Sequence, residues 1–452
     1  MERTGRGKHN TTMRKKLLPF LLLFIAGCLT AFGQTFNKPK LDSLLTALLQ
    51  NNKAMGTLVL SKDGKVIYQR STGYESVFGG VNASANTKYR TGSITKMFTG
   101  VIIFQLIDEG KLKLDTKLSA YYPQVPNADK ITIDMMLHHR TGLHNFTDSA
   151  YMTYYKLPKT HEQMLEIFSA QKPDFEPDTK GSYSNTNFVL LGYIAEKITK
   201  KTYKDLLDER ISKMIGLRNT YYGGRMMARY HEASSFKYTN EWIEDAQTDM
   251  SIPGGAGAVV STPVELTKFI EALFAGKLIS PKSLEAMKTL KDKHGAALFQ
   301  YNFDNKLGYG HNGGIDEFKS TLSYFPDEKL TLAYCSNGMN YNMNNIVLGA
   351  LSIYFGKPYQ IPAFKTINIS PEELDKYVGN YVSDQLPLKI AVTKKDGVLM
   401  AQATGQSAFP LEAADIDKFS FEPAGVVMEF VPAKKEMTLK QAGKSFLYVK
   451  EK

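Results

Sequence analysis

The sequence predicts a mixed α/β protein of α+β type. An antiparallel sheet flanked by helices, with an inserted helical subdomain, precedes an all-β barrel-like domain. Three observations predict it. β-Rich runs occur at both ends of the longer first part, in GTLVLSKDGKVIYQR (56–70) and DEFKSTLSYFPDEKLTLAYCSNG (316–338). The stretch between them, about 115–300, reads mainly as helical patterns separated by Gly/Pro loops. Beyond Pro371 the apolar and polar residues alternate in eight short runs. Strands far apart in sequence with helices between them imply one sheet assembled from both ends of that part.

At the N-terminus, MRKKLLPFLLLFIAGCLTAFGQ begins at Met13 with basic residues, continues with a short apolar stretch and ends in small residues. That is the order of a secretory signal, and the apolar stretch is too short for a membrane span. Two exits compete. Ala31-Phe32-Gly33 before Gln34 offers a peptidase site, whereas Ile25-Ala26-Gly27-Cys28 resembles a lipoprotein box in which Cys28 carries the lipid. Cleavage before Gln34 is the favoured reading because apolar residues continue past Cys28. Either exit leaves an exported protein, periplasmic or envelope-associated, and membrane-bound only through a lipid on Cys28. The expected organisation is residues 1–33 as extension and signal, 34–365 as the main domain and 366–452 as the barrel-like domain.

The formal net charge is +11, of which the first 33 residues hold six bases and one acid, so about +6 remains beyond them. It is dispersed, without basic blocks or interleaved aromatics, which excludes nucleic acid as the expected partner. Cys335, in the strand-like LTLAYCSNG, is left as a single thiol and reads as a small buried hydrophobe.

In the main domain, Asp63-Gly64 between two β-rich runs signals a hairpin. TGSITKMFTGVIIFQLIDEG (91–110) follows as an apolar helix closed by Gly110. Ser93 and Lys96 stand three residues apart at its start, on one helical face. Free N–H groups at a helix start favour an anion, and a desolvated lysine there loses basicity and becomes able to take a proton. Alone, such a pair is mostly an N-cap serine with a surface lysine. Two further patterns accompany it. Tyr183-Ser184-Asn185 opens a second apolar helix, where a tyrosine near positive groups can act as a base and an asparagine can orient a lysine. GYGHNGGIDEFKS places His311-Asn312-Gly313-Gly314 on the way into a strand, with glycines that permit close backbone approach. NMNNIVLGALSIYFG then reads as a buried helix. The C-terminal runs, KYVGNYV through KSFLYV, fit a small up-and-down barrel or a sandwich.

Together these stretches resemble the serine β-lactamase and penicillin-binding superfamily, in its class C β-lactamase and D-Ala-D-Ala carboxypeptidase-like branch. The resemblance lies in the order Ser-x-x-Lys, Tyr-x-Asn, His-x-Gly and in the phrases YRTGSITKMFTGVIIFQLIDEGKLKLD, ITIDMMLHHRTGLHNF and PGGAGAVVSTPVELTKFIEAL; it runs from about 41 to 357. The C-terminal runs resemble, more weakly, lipocalin-like barrels appended to some members. The resemblance implies a β-lactamase/transpeptidase-like fold and a cofactor-free, metal-free serine hydrolase. In it Ser93 is acylated, Lys96 is its proton partner and Tyr183 is an acid and base. Asn185, His311, Gly313 and Gly314 would contact substrate, with the N–H groups of Ser93 and Gly314 as oxyanion hole.

Two departures bear on substrate. His311 stands where such enzymes usually have a lysine, and Glu317 where relatives commonly have glycine. Both disfavour an anionic substrate, so the expectation is hydrolysis of a D-amino-acid peptide or small ester, peptidoglycan-derived peptides among the candidates, with slow β-lactam turnover. The rival from another class is a non-catalytic penicillin- or cell-wall-peptide-binding sensor, and the intact Ser, Lys, Tyr and Asn argue against it. His138, His139 and His144 suggest a zinc site only until the missing Cys or Glu ligand at a suitable spacing is counted. The sequence leaves the oligomeric state open. The barrel is expected to narrow the mouth of the active site.

Overall fold

The computed structural model describes residues 36–451 apart from 365, 366, 368 and 442. Cys28 and the signal-like segment lie outside the described residues. From Asn37 onward the chain forms one compact unit.

The central sheet has strands β1 (Ala54–Lys62), β2 (Lys65–Thr72), β3 (Phe299–Phe303), β4 (Lys306–Ile315), β5 (Phe318–Phe325) and β6 (Leu330–Met339). Along this path the order is β3-β4-β5-β6-β1-β2 with antiparallel pairings, so the sequence-distant ends meet at β6 and β1. Two short strands, Phe236–Tyr238 and Trp242–Glu244, extend the sheet through a parallel bridge to β6. The join is a full ladder from Ala54 opposite Met339 to Lys62 opposite Leu330. Asp63-Gly64 makes the expected hairpin. Both residues have positive φ, 50° and 76°, the twist that suits a two-residue connection. β1 is buried along nearly its whole length because helices cover both faces, and so it reads as a continuous apolar run rather than an alternating one. Cys335 sits at the centre of β6, fully buried and unpaired, as its apolar surroundings in sequence suggested.

Helices α1 (Lys38–Gln50) and α5 (Met343–Tyr354) lie on one face of the sheet, in contact with each other, and α1 also touches β1 and β2. Against the other face lie α2 (Thr95–Asp108) and α4 (Pro263–Phe274), while α3 (Asn185–Thr199) packs on α2, and the three share one hydrophobic core. Helix α2 is apolar all round, from Met97 and Phe98 to Leu106, and is accordingly buried on every side. It ends at Gly110, whose φ of 70° permits the left-handed exit. The segments between α2 and β3 make the inserted, mainly helical part.

Eight strands between Gly379 and Lys450 close into an antiparallel barrel in which each strand pairs with its sequence neighbours and the last with the first. This settles the barrel-or-sandwich alternative. Closure leaves no free edge, and the interior is filled by Tyr377, Tyr381, Phe419, Phe430, Met428, Met437, Tyr448 and their neighbours. A barrel of eight strands has room for little else. It meets the rest of the chain at Lys53, whose ammonium is nearly buried and pairs with Glu412, while Asn340 donates to the same carboxylate at 3.2 Å. Removing the acid leaves a mostly desolvated cation. Glu412→Ala should therefore lower stability by about 2 kcal/mol, between the worth of an exposed and a fully buried pair. Urea unfolding checks this, and an unchanged midpoint would mean that the docking of the barrel does not depend on the pair.

Candidate active site

Ser93 does not stand in the α-helix itself. A 3₁₀ turn, Gly92–Ile94, carries it into α2. In 3₁₀ geometry residues i and i+3 eclipse, which brings Lys96 directly over Ser93: Lys96 Nζ is 2.9 Å from Ser93 Oγ. The turn is wedged against β4. Gly92 has φ 52°, and a Cβ there would lie within 2.7–2.9 Å of the Gly314 backbone. A Cβ on Gly313 would lie 1.9 Å from the Thr91 carbonyl oxygen. Gly313 thus serves the packing of this strand on the Ser93 turn, while Gly314 is on the cavity lining.

The second apolar helix starts at Asn185, with Ser184 at its N-cap, and Tyr183 immediately before. Tyr183 donates from its hydroxyl to Ser93 Oγ at 2.8 Å. Lys96 Nζ also approaches Asn185 Oδ1 at 2.7 Å and the Ala256 carbonyl oxygen at 2.9 Å. The asparagine is oriented by its amide, which donates to Asn145 Oδ1 and Thr147 Oγ1, both at 3.1 Å. Four of the expected residues therefore converge: Ser93, Lys96, Tyr183 and Asn185.

Lys96 is fully buried, and desolvation holds its pKa well below the usual lysine range. A neutral amine has two N–H donors and one lone pair. Asn185 Oδ1 and the Ala256 carbonyl can only accept, so they take the two N–H groups. The lone pair is left facing the Ser93 hydroxyl. Tyr183 runs opposite to the expectation of a ready phenolate. Burial raises its pKa, and the Ser93 hydrogen bond offsets this only in part, so it stays a protonated donor. The lysine that could have favoured a phenolate is itself held neutral.

His311 is buried beside Phe299, at 4.6 Å between ring centroids, and 6.3 Å from Tyr183. Its Nδ1 lies 2.5 Å from the carbonyl oxygen of Asn312. The ring is turned to its own backbone and is not on the cavity lining, which passes from Gly314 to Glu317. Burial pushes its pKa down to about 3.

Sequence reading weighed His139 only as one of three histidines of a discounted zinc site. Its φ is 56°, its carbonyl accepts from Ser182 N at 2.9 Å, and its Nδ1 accepts from Ser184 N at 3.2 Å. Those bonds flank Tyr183, whose ring lies 4.4 Å from the imidazole. His138 instead contacts the backbone of Asp134 and Thr289, and His144 contacts Asp174 and Asp148. The three histidines of this stretch thus face separate partners.

Ser93 opens into a cavity of about 350 Å³. Phe146, Tyr151, Met152 and Tyr155 form one wall, and Gly314, Ile315, Glu317 and Asp245 form another. Neither Asp245 nor Glu317 has a hydrogen bond or ion pair to its carboxylate among the described residues. Burial raises the pKa of Glu317, Lys319 and Lys237 draw it down, and Asp245 and Asp316 draw it up. No barrel residue among those described lines the cavity. The expectation that the barrel narrows the mouth is not met, because it docks at Lys53 and Asn340 instead.

The Beta-lactamase family profile matches residues 41–351. The chain belongs to the Beta-lactamase family. A penicillin-binding protein of Bacillus subtilis is 25% identical over 427 residues, covering 87% of this chain and 94% of its own. A teichoic acid D-alanine hydrolase of Staphylococcus aureus is 24% identical, with 65% and 73% covered. Among solved structures, the D-amino acid amidase of Ochrobactrum anthropi complexed with D-phenylalanine superposes with a TM-score of 0.64 at 22% identity, over 71% of this chain and 99% of that one. Hydrolysis is the reaction that the names of the last two of these relatives state.

The His311 geometry has a consequence for acid stability. The folded pKa lies below the unfolded value, so below about pH 6.5 the unfolded chain gains a proton that the native site refuses. Stability should fall as pH drops from there towards 3. Replacing His311 by Gln should flatten that limb, read as a smaller loss of unfolding free energy between pH 7 and about pH 5. An unaltered limb would show that the imidazole does not stay neutral.

Proposed function

We propose that the protein is an exported serine hydrolase that forms an acyl-enzyme on Ser93 and releases D-amino acids from their esters or amides. The observation that carries this is the convergence on Ser93 Oγ of Lys96 Nζ at 2.9 Å and the Tyr183 hydroxyl at 2.8 Å, with Lys96 held by Asn185 Oδ1 and the Ala256 carbonyl. In the proposed cycle Lys96 takes the serine proton as Oγ attacks the carbonyl carbon. The N–H groups of Ser93 and Gly314 receive the developing oxyanion. Tyr183 gives its proton to the leaving oxygen or nitrogen, and the proton held on Lys96 replaces it. Water then enters by the reverse route: its proton goes to the base, its hydroxide to the acyl carbon, and Ser93 is restored. Asn185 holds the lysine and, with Gly314, borders the substrate.

The substrate reading rests on the cavity walls. A neutral His311 held off the lining offers a carboxylate nothing, whereas Glu317 and Asp245 favour an ammonium group. The aromatic wall suits an apolar acyl side chain. This agrees with relatives named for D-alanine and D-amino acid substrates. The domain division at 365/366 and the resemblance of the barrel to lipocalins belong to the same proposal. So does export through cleavage before Gln34.

Ser93→Ala should abolish turnover of a D-alanyl ester, and Lys96→Ala and Tyr183→Phe should each cost about a hundredfold, the scale of a lost proton-transfer partner. Loss of the ester burst in Ser93→Ala, followed by mass spectrometry of the acylated protein, checks this. Wild-type ligand binding without any acylation would point instead to a binding protein. The acid limb of the kcat profile should report Lys96 at a pH well below the usual lysine range, because the base works only when deprotonated.

Substrate charge provides a separate test. Glu317→Gln should reduce kcat/KM for a free-amine ester relative to its N-acetyl counterpart by roughly fivefold, the worth of a partly exposed charge pair. Equal losses on both esters would show that the wall does not select charge.

A further inference from the structure

We infer that Asp316 is a positioning residue that holds the wall opposite Ser93 through a buried clamp with Arg90 and Thr248. This rests on the proposed hydrolysis at Ser93. Asp316 sits in the two-residue turn between β4 and β5 with φ 51°, the left-handed conformation that suits such a connection. Its carboxylate has no solvent exposure. Arg90 Nη1 donates to Oδ2 at 2.7 Å, while the Thr248 N–H and hydroxyl donate to Oδ1 at 2.9 and 2.7 Å. Arg90 spends its remaining guanidinium donors on the carbonyls of Thr248 and Gly224, each at 2.9 Å, and on Gln247 Oε1 at 3.3 Å. Only its Nε–H is left buried and unpaired among the described residues.

The clamp joins three segments. Arg90 lies three residues before Ser93. Thr248 belongs to the segment that brings Asp245 to the cavity, and Asp316 lies between Gly314 and Glu317. All three segments supply cavity lining. A buried ion pair is seldom the most stabilising way to fill such a space. Its use here is directional, since each donor has one acceptor position and each position fixes one segment. The Gly314 N–H and the Glu317 carboxylate therefore stand where Asp316 puts them relative to Ser93 Oγ. The Asp316 residue borders the cavity, but its carboxylate is enclosed and faces Arg90 and Thr248 instead.

The test uses the full chain and a D-phenylalanyl ester, free and N-acetylated, with each variant checked by thermal melting to be folded at the assay temperature. Asp316→Asn keeps the volume but turns an amide N–H₂ towards groups that are themselves donors. It should lower kcat at least tenfold on both esters and leave KM within about threefold, because substrate still enters but the oxyanion contact is misplaced. Thr248→Val should lower kcat in the same direction, and Thr248→Ser, which keeps the hydroxyl, should return it to near the wild-type value. A folded Asp316→Asn protein with wild-type kcat would overturn the inference, as would a raised KM at constant kcat. If that variant does not fold, the Thr248 pair decides, and equal rates for Val and Ser would overturn it. Turnover that ignored Ser93 would remove the hydrolytic reading and the role of the clamp with it. Turnover that needed Ser93 but ignored Asp316 would remove the clamp alone.

Discussion

The site depends on one constraint: an amine buried without a counter-ion. Taking an ammonium out of water is so costly that the group gives up its proton instead. Neither of its two carbonyl neighbours can supply one. Everything around Lys96 follows from that. Asn185 must present oxygen rather than nitrogen, which requires Asn145 and Thr147 to hold the far side of its amide. Ala256 must offer its carbonyl inward, which a buried glycine-flanked turn allows. Tyr183, deprived of a neighbouring cation, keeps its proton and becomes the donor of the pair. A carboxylate placed near Nζ would restore the ammonium and end this division of labour.

Close backbone approach is the second requirement, and it couples catalysis to the fold. The turn carrying Ser93 touches β4 through glycines at 92, 313 and 314, so the sheet acts as the anvil against which the serine is held. Because β4 is tied through β5 and β6 to β1, the position of Ser93 draws on strands from both ends of the domain. The inserted helical part supplies Tyr183, Asn185 and the aromatic wall. The cleft therefore lies where two substructures meet, a usual place for a small-molecule site.

Much of this was legible in the residues. The hairpin at Asp63-Gly64, the buried helix with its Gly110 exit and the eight C-terminal strands are local patterns, and local patterns are written in local sequence. The grouping of Ser93, Lys96, Tyr183 and Asn185 was readable because three spaced motifs occur in a known order. What escaped was made by contacts between distant positions. Nothing in HHRTGLH announces that His139 brackets Tyr183 from both sides, although a histidine before Arg-Thr-Gly at a left-handed turn is a weak cue. His311 was expected on the wall facing substrate, but a ring able to bond its own backbone and pack on Phe299 does so. The barrel was expected over the cleft, and the partly buried contacts of Glu412 with Lys53 and Asn340 tie it elsewhere. The Arg90 and Asp316 clamp had only faint traces, an arginine ahead of Thr-Gly-Ser and an acid after two glycines.

The lone thiol at the middle of β6 makes the central sheet observable in time. Cys335 lies between the strands that close the two ends of the domain upon each other, and no reagent reaches it while those ladders stay formed. Burial also keeps it a thiol rather than the reactive thiolate. Its alkylation clock therefore counts openings of the innermost ladder and ignores loosening at the barrel or at the cavity rim. A molecule built this way carries its own reporter of the opening of its central sheet, installed in the strand that joins the two ends of that sheet.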